Sequence, residues 1–218
     1  MALTLFDLDN TLITNDSDYL WGQYLVENNI VDPQQYEEKN RQFFEDYEQG
    51  KLDIDSYLRF SLEPLTQFPL QQLYQWRTHY VQSVIEPLIA PGTPALLKKH
   101  RDQGDTLVII SATNLFVTEP IAALLGIEHI LSTVPEMKDG KYTGNYIGIP
   151  TFQQGKVTAL QNWMQQHKKD LTGSSFYSDS HNDLPLLEQV DYPFAVNPDE
   201  RLEATARQRN WPILDLRK

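Results

Sequence analysis

From residue 93 onward, short β-rich apolar runs alternate with segments of helical periodicity, and this alternation leaves few folds open. TPALLKKHRDQG (93–104) reads as a helix closed by Gly104, and TLVIIS (106–111) as a strand. FVTEPIAALLG (116–126) is a second helix closed by Gly126, followed by a short strand in EHILST (128–133). In KDGKYTGNYIG (138–148) an Asp-Gly pair between alternating residues predicts a hairpin. GKVTALQNWMQQHKK (155–169) is amphipathic, SSFYSD (174–179) is a strand, DLPLLEQV (183–190) a helix and PFAVN (193–197) a strand. DERLEATARQRN and WPILDL then predict a last helix and a last strand. Strands alternating with helices are βαβ units, so an α/β fold is expected, with a parallel sheet covered by helices on both faces. The apolar run at residues 2–6 joins that sheet as its first strand.

Residues 17–85 break the alternation. Apolar residues recur there at helical spacing, as in Tyr19, Leu20, Tyr24 and Leu25 and again in Leu70, Leu73, Tyr74 and Trp76. Breaks fall at Asp32-Pro33, Gly50, Pro64 and Pro69. About four helices are expected, rich in aromatic and acidic residues. The predicted organisation is a core of residues 1–16 and 86–218, with a helical cap of residues 17–85 inserted after the first strand. The cap aromatics are read mainly as core, and the acidic runs YEEKN and FFEDYEQ as solvated helix faces.

Composition narrows the function. The 218 residues are 40% hydrophobic and include 9 Phe, 4 Trp and 11 Tyr, enough to build a core. A net charge of −12 argues against nucleic acid and anionic membranes as partners. There are no cysteines, which excludes disulfides, thiolate nucleophiles and cysteine-ligated zinc. No basic segment followed by a long apolar run opens the chain, and no apolar stretch is long enough to span a bilayer. The expectation is a cytoplasmic protein whose partner is a small molecule, with oligomeric state left open.

Open parallel sheets place ligands beyond the carboxyl ends of their strands. After the first strand come Asp7 and Asp9; strand alternation would lean both to one side and Leu8 into the core. After TLVII come Ser111, Ala112, Thr113 and Asn114; after SSFYS come Asp179, Ser180, Asn182 and Asp183. Gly155 and Lys156 open the amphipathic helix. Four segments thus deliver carboxylates, a hydroxyl and an ammonium to one sheet edge. Clustered carboxylates repel unless a cation sits among them, and an oxygen-only donor set selects a hard one, Mg²⁺. Beside such a cation an aspartate can attack phosphorus, while a second moves the proton. Ser111 and Lys156 can hold phosphoryl oxygens.

Asp7-Leu8-Asp9-Asn10-Thr11, then Ser111, then Gly155-Lys156, then YSDSHNDLP (177–185) resemble the four motifs of the haloacid dehalogenase superfamily. The motifs come in the family's order and the match spans essentially the whole chain. The DxDxT form, the place of the cap and the D-S-x-N-D form of the last motif resemble the phosphoserine-phosphatase-like branch. The resemblance implies a Rossmann-like core and an Mg²⁺-dependent phosphatase. Asp7 would be the nucleophile and Asp9 the general acid/base. Asp7, Asp9 (through its carbonyl) and Asp179 would be the metal ligands. Ser111 and Lys156 would bind phosphate, Lys156 also tethering Asp7, with Asp183, Asn182 and Thr11 in support.

Plainer readings stand beside these. Ser111 or Asp183 can be a helix N-cap; Lys156 can be an exposed helix-start lysine; Thr113 and Asn114 can be turn residues. The five histidines, His79, His100, His129, His167 and His181, show no ligand spacing. Asp16 lies where the resembled phosphatases hold a substrate ammonium, and it can equally cap the first cap helix. Their carboxylate-binding arginine falls here on Ser61, with Arg59 close by at a different position. A substrate with an amine and no carboxylate is therefore expected, L-histidinol phosphate first. Phosphoserine, or phosphoryl transfer to an alcohol, is the alternative.

Overall fold

The computed structural model describes residues 2–218. A seven-stranded sheet is formed by β1 (Leu3–Phe6), β2 (Thr106–Asn114), β3 (His129–Lys138), β4 (Lys141–Ile147), β5 (Ser175–Ser178), β6 (Tyr192–Val196) and β7 (Ile213–Leu214). Their order is β4-β3-β2-β1-β5-β6-β7. All neighbours are parallel except β3 and β4, which form the Asp-Gly hairpin. Its two turn residues, Asp139 and Gly140, both have positive φ (50° and 73°), as a two-residue primed turn demands. β1 lies between β2 and β5, and all four of its residues are buried.

Between β1 and β2 the chain builds α1 (Ser17–Glu27), α2 (Pro33–Glu48), α3 (Ile54–Leu62) and α4 (Leu70–Tyr80). Asp16, Asp32 and Asp53 cap the first three with side-chain oxygens, which satisfy N–H groups that have no partner in the helix. α4 runs on through a π turn at Val81–Ile85 and a 3-10 turn at Glu86–Leu88. The two passages of the insert meet at its neck: Thr14 N–H donates to the Leu88 carbonyl at 2.8 Å, and Ala90 N–H to that of Leu12 at 3.0 Å.

The rest is layered. Strand alternation sends Leu3, Leu5, Val108, Ile110, Phe176 and Ala195 to one face, covered by α7 (Gln154–His167), α8 (Leu184–Leu187) and α9 (Glu200–Arg209). Phe6, Ile109, Tyr177 and Val196 point to the other face, covered by α5 (Thr93–Asp102) and α6 (Leu115–Leu124). The insert's Trp21, Tyr24, Leu73 and Tyr80 belong to that second cluster, so insert and sheet share one apolar core.

Three boundaries differ from expectation. β2 continues through Ser111 to Asn114 because it pairs with β3 again beyond a bulge. β3 runs on to Lys138 because the hairpin extends it. The helix expected over 183–190 is a 3-10 turn at His181–Asp183 followed by only four residues of α8. Among the described residues no helix is long and apolar enough to cross a membrane.

Candidate active site

Lys156 is the anchor of the polar edge. It sits in the first turn of α7, is 3% exposed, and donates to Asp7 Oδ1 at 2.9 Å and to the Asp183 carboxylate at 2.7 Å. The reading of Lys156 as an exposed helix-start lysine is thereby excluded. Burial opposes its charge, yet Asp183 and Asp7 together hold the ammonium above the ordinary lysine range. Gly155 makes this approach possible: a Cβ there would stand 1.9 Å from the Pro150 carbonyl oxygen. Only glycine lets the start of α7 pass so close to the preceding loop.

The Asp183 carboxylate accepts from Lys156 and from Ser178 Oγ (2.7 Å), and not from the N–H groups of α8. It is therefore not a side-chain cap, and α8 starts without one. Burial pushes its carboxyl up to about 6 despite the lysine. Asn182 accepts from Gln153 Nε2 (2.9 Å) and points Nδ2 at the Tyr47 carbonyl (3.5 Å), joining the start of α7 to the insert.

Asp7 is 4% exposed and its N–H donates to the Tyr177 carbonyl at 2.9 Å, extending the β1–β5 ladder by one bond. Leu8 is fully buried, while Asp7 and Asp9 line one cavity. The strand itself ends at Phe6, so strand alternation is not what places Asp9. Asn10 adopts a left-handed conformation (φ 55°), which asparagine tolerates, and turns the chain back. Asp9 Oδ1 accepts from Ser17 N–H (2.6 Å), and Oδ2 accepts from Thr113 Oγ1 (2.9 Å) and Ser111 Oγ (3.3 Å). Ser111 is thus a residue within β2 bound to Asp9 and no helix cap. Thr113, left open between turn and site, belongs to the site. Asn114 precedes α6 without capping it through its side chain, and its amide reaches Asp18 Oδ1 at 3.3 Å.

Asp179 stands beside Asp7 and accepts from Thr11 Oγ1 at 3.2 Å. Burial and the neighbouring charges of Asp7 and Asp183 raise its carboxyl well above the usual range. Burial also raises Asp7, against the pull of Lys156, with Asp9 adding to the rise. Two carboxylates forced together in this way are a hard-oxygen donor set whose mutual repulsion a cation would relieve, and they fit Mg²⁺. No cluster of three or more His, Cys, Asp or Glu side chains that could hold a metal exists among the described residues.

Asp16 does cap α1, its Oδ1 taking the N–H groups of Asp18 (2.9 Å) and Tyr19 (2.7 Å), and it also lines the cavity. Burial and the charge of Asp9 raise its carboxyl. Ser61 is buried against the Leu58 carbonyl (3.5 Å) and Arg59 is exposed, and neither lines the cavity.

The insert closes the cavity with Asp18, Tyr19, Phe43, Phe44, Tyr47 and Tyr57. Five of the insert's aromatics therefore face the site, while Trp21, Tyr24, Tyr36 and Tyr80 are buried in the core and Phe60, Phe68 and Trp76 pack against it, so the reading as mainly core holds with these five as the exceptions. The signal for them was weak, because a 3.6-residue period shows an apolar face without saying what it covers. Asp18 was missed because an acid in a first helical turn is ordinary. His181, set aside in the sequence, holds Asp199 Oδ2 through Nδ1 (2.8 Å) and meets Arg201 Nη1 through Nε2 (3.2 Å) beside Gly50 of the insert.

A family model described as haloacid dehalogenase-like hydrolase matches residues 4–188. The chain is 43% identical over 219 residues to a histidinol-phosphatase of Neisseria meningitidis serogroup C, covering 99% of both chains. Among solved structures it resembles a protein with unknown function from Bordetella pertussis Tohama I (37% identity, TM-score 0.93, covering 99% of this chain and 98% of that one). A substrate-bound phosphoserine phosphatase complex shares the fold at 18% identity, with TM-score 0.72 and coverage of 100% and 93%.

Proposed function

The chain belongs to the haloacid dehalogenase-like hydrolase family and is a phosphatase, and from that premise we propose that it hydrolyses a small amine-bearing phosphomonoester, L-histidinol phosphate, through a phosphoaspartate on Asp7. In this reading an Asp7 carboxylate oxygen attacks phosphorus and the phosphorus–oxygen ester bond breaks. Asp9 gives a proton to the departing alkoxide, then takes one from the water that attacks the phosphoaspartate. Inorganic phosphate leaves and both aspartates return to their starting states. Lys156 and Ser111 hold the phosphoryl oxygens, and Lys156 also keeps Asp7 in the attacking position. Asp183 orients Lys156, and Thr11 orients Asp179.

Asp7, Asp179 and the main-chain carbonyl of Asp9 would hold Mg²⁺. When bound, the ion supplies positive charge that lets an anionic ester lie against an aspartate. Residues 17–85 act as the cap that closes over the leaving group and excludes water.

One observation carries the substrate: the cavity beside Asp7 is lined by Asp16, Asp18 and aromatic rings, and among the described residues Lys156 is the one Lys or Arg lining it. That lysine is already engaged by two carboxylates. A phosphoserine carboxylate would enter without a guanidinium and against like charges, whereas an amine and an imidazole find acceptors and aromatic faces. The full-length similarity to a histidinol-phosphatase supports the same choice.

The test is phosphate release from L-histidinol phosphate, phosphoserine and sugar phosphates, with and without added alcohol acceptors. L-Histidinol phosphate is expected to have the highest kcat/KM, with phosphate passing to water. Asp7→Asn is expected to lose on the order of 10⁴-fold or more in kcat, the scale of removing a nucleophile. An active Asp7→Asn protein would overturn the nucleophile assignment, and a slow L-histidinol phosphate the substrate.

A further inference from the structure

Asp18 carries a buried carboxylate that the protein leaves half unanswered. It lies in the first turn of α1, is 6% exposed, and lines the cavity with Asp7, Asp9 and Lys156. Its Oδ1 accepts from Asn114 Nδ2 at 3.3 Å, but among the described residues Oδ2 has no hydrogen-bond partner. Burial pushes the Asp18 carboxyl up to about 7 against the pull of the nearby Tyr57 phenol, and no donor meets hydrogen-bond geometry at Oδ2. Asn114 Oδ1 and Ser17 Oγ, also buried, lack partners too. Asp18 and Asn114 touch, and each keeps one acceptor oxygen without a donor among the described residues. Leaving a carboxylate oxygen desolvated and unpaired is costly, and such cost collects at ligand sites where something else completes the set.

Asp16 does not explain the arrangement. Its Oδ1 is committed to two main-chain N–H groups as the cap of α1, a task that any helix start presents. Asp18 caps nothing and, among the described residues, forms no ion pair. Tyr19, Phe44 and Tyr57 wall the same cavity, with the Tyr19 and Phe44 rings 4.8 Å apart. A flat, cationic group with N–H donors fits both features.

We propose that Asp18 is a specificity-determining residue whose Oδ2 accepts an N–H from the cationic leaving group, an ammonium or imidazolium, and whose charge turns away phosphomonoesters bearing a carboxylate. The proposal rests on the reading of the protein as a phosphatase of amine-bearing esters. Selection is then made as much by repulsion as by attraction.

The experiment compares wild type with Asp18→Asn, which keeps the shape and removes the charge. The readout is the ratio of kcat/KM for L-histidinol phosphate to that for p-nitrophenyl phosphate, which has no cation. The variant is expected to lower this ratio about 10- to 100-fold, the scale of a lost charge-assisted hydrogen bond. The relative rate on phosphoserine is expected to rise. Removing an unpaired buried charge should raise the melting temperature by about 2–4 °C, and added L-histidinol should stabilise the variant less than the wild type. A lower melting temperature with equal loss on all esters would make Asp18 a structural residue and overturn the proposal. An unchanged ratio, in an enzyme whose wild type prefers L-histidinol phosphate, would overturn the role of Asp18 alone. A wild type that prefers neutral or carboxylate-bearing esters would overturn the substrate reading, and this proposal with it.

Discussion

Single residues hold the candidate site together through contacts that tolerate little change. Gly155 is the sharpest case, since any larger residue must displace either the Pro150 carbonyl or the start of α7. Gly155→Ala is expected to destabilise the protein by about 3 kcal/mol or more, the range of a steric clash with backbone. It should also pull Lys156 away from Asp7. Urea midpoints and phosphate release would show both effects, and a variant of wild-type stability would contradict the geometry. On the sheet face away from Lys156, a buried chain links Asp105, His100 and Tyr177: His100 Nδ1 meets Asp105 Oδ2 at 2.9 Å and Nε2 meets Tyr177 Oη at 2.9 Å. Burial works against its charge, but His100 and the Ala2 N–H hold the Asp105 carboxyl below the ordinary carboxylate range. A carboxyl lowered in the fold stabilises above its unfolded pKa of about 4 and loses that contribution as pH falls through the folded value. Asp105→Asn should therefore be less stable than wild type at pH 7, and the gap should close only below about pH 4. A gap that is independent of pH down to pH 3 would show that charge on Asp105 is not what stabilises. The acidic residues at the sheet edge were readable because a carboxylate just beyond an apolar strand is conspicuous. The partners of Asp105 were not readable, because His100 and Tyr177 lie on different elements of the chain.

Among the elements, α4 and α6 are joined by a device that neither displays alone. Pro120 lies inside α6 and has no N–H to give the Phe116 carbonyl four residues back. Arg77 of α4 supplies the missing donor: its Nη1 reaches that carbonyl at 3.1 Å and the Glu119 carboxylate at 3.1 Å. The guanidinium also lies over Tyr74 (4.7 Å) and Phe116 (5.0 Å). The insert is thereby tied to a helix of the sheet layer at a carbonyl that a proline leaves open. Arg77→Ala should cost about 1–3 kcal/mol, since it removes a charged donor and leaves a buried acceptor unmet. In Pro120→Ala the helix satisfies its own carbonyl, so Arg77→Ala should cost less there. A double-mutant cycle with no coupling beyond about 0.5 kcal/mol would rule the device out. In the sequence, Pro120 marks only a place where a helical period is weakened. That the helix survives it depends on a donor 43 positions earlier in the chain.

At the scale of the molecule, the apolar cluster of the insert is continuous with one face of the sheet, and the cavity is closed between them. The site carries Asp7, Asp9, Asp16, Asp18, Asp179 and Asp183 against one lysine, within a chain of net charge −12. A cation bound there relieves repulsion in the folded state alone. Mg²⁺ at a hundred times its dissociation constant should thus stabilise the protein by about 2.7 kcal/mol. Chelation should abolish phosphate release, with activity returning when Mg²⁺ is restored. Thermal unfolding that ignores Mg²⁺ at millimolar concentration would contradict the metal assignment. By itself the sequence determined the layered α/β fold, the helical insert after β1 and the set of residues that meets at the sheet edge. Periodicity is local, and a parallel sheet delivers every strand end to the same side. Tertiary structure alone decided the length of β2, the five aromatics facing the cavity and the unpaired oxygen of Asp18. Each depends on which distant segment comes to lie opposite, and burial and hydrogen-bond partnership exist only between segments, so no local pattern records them.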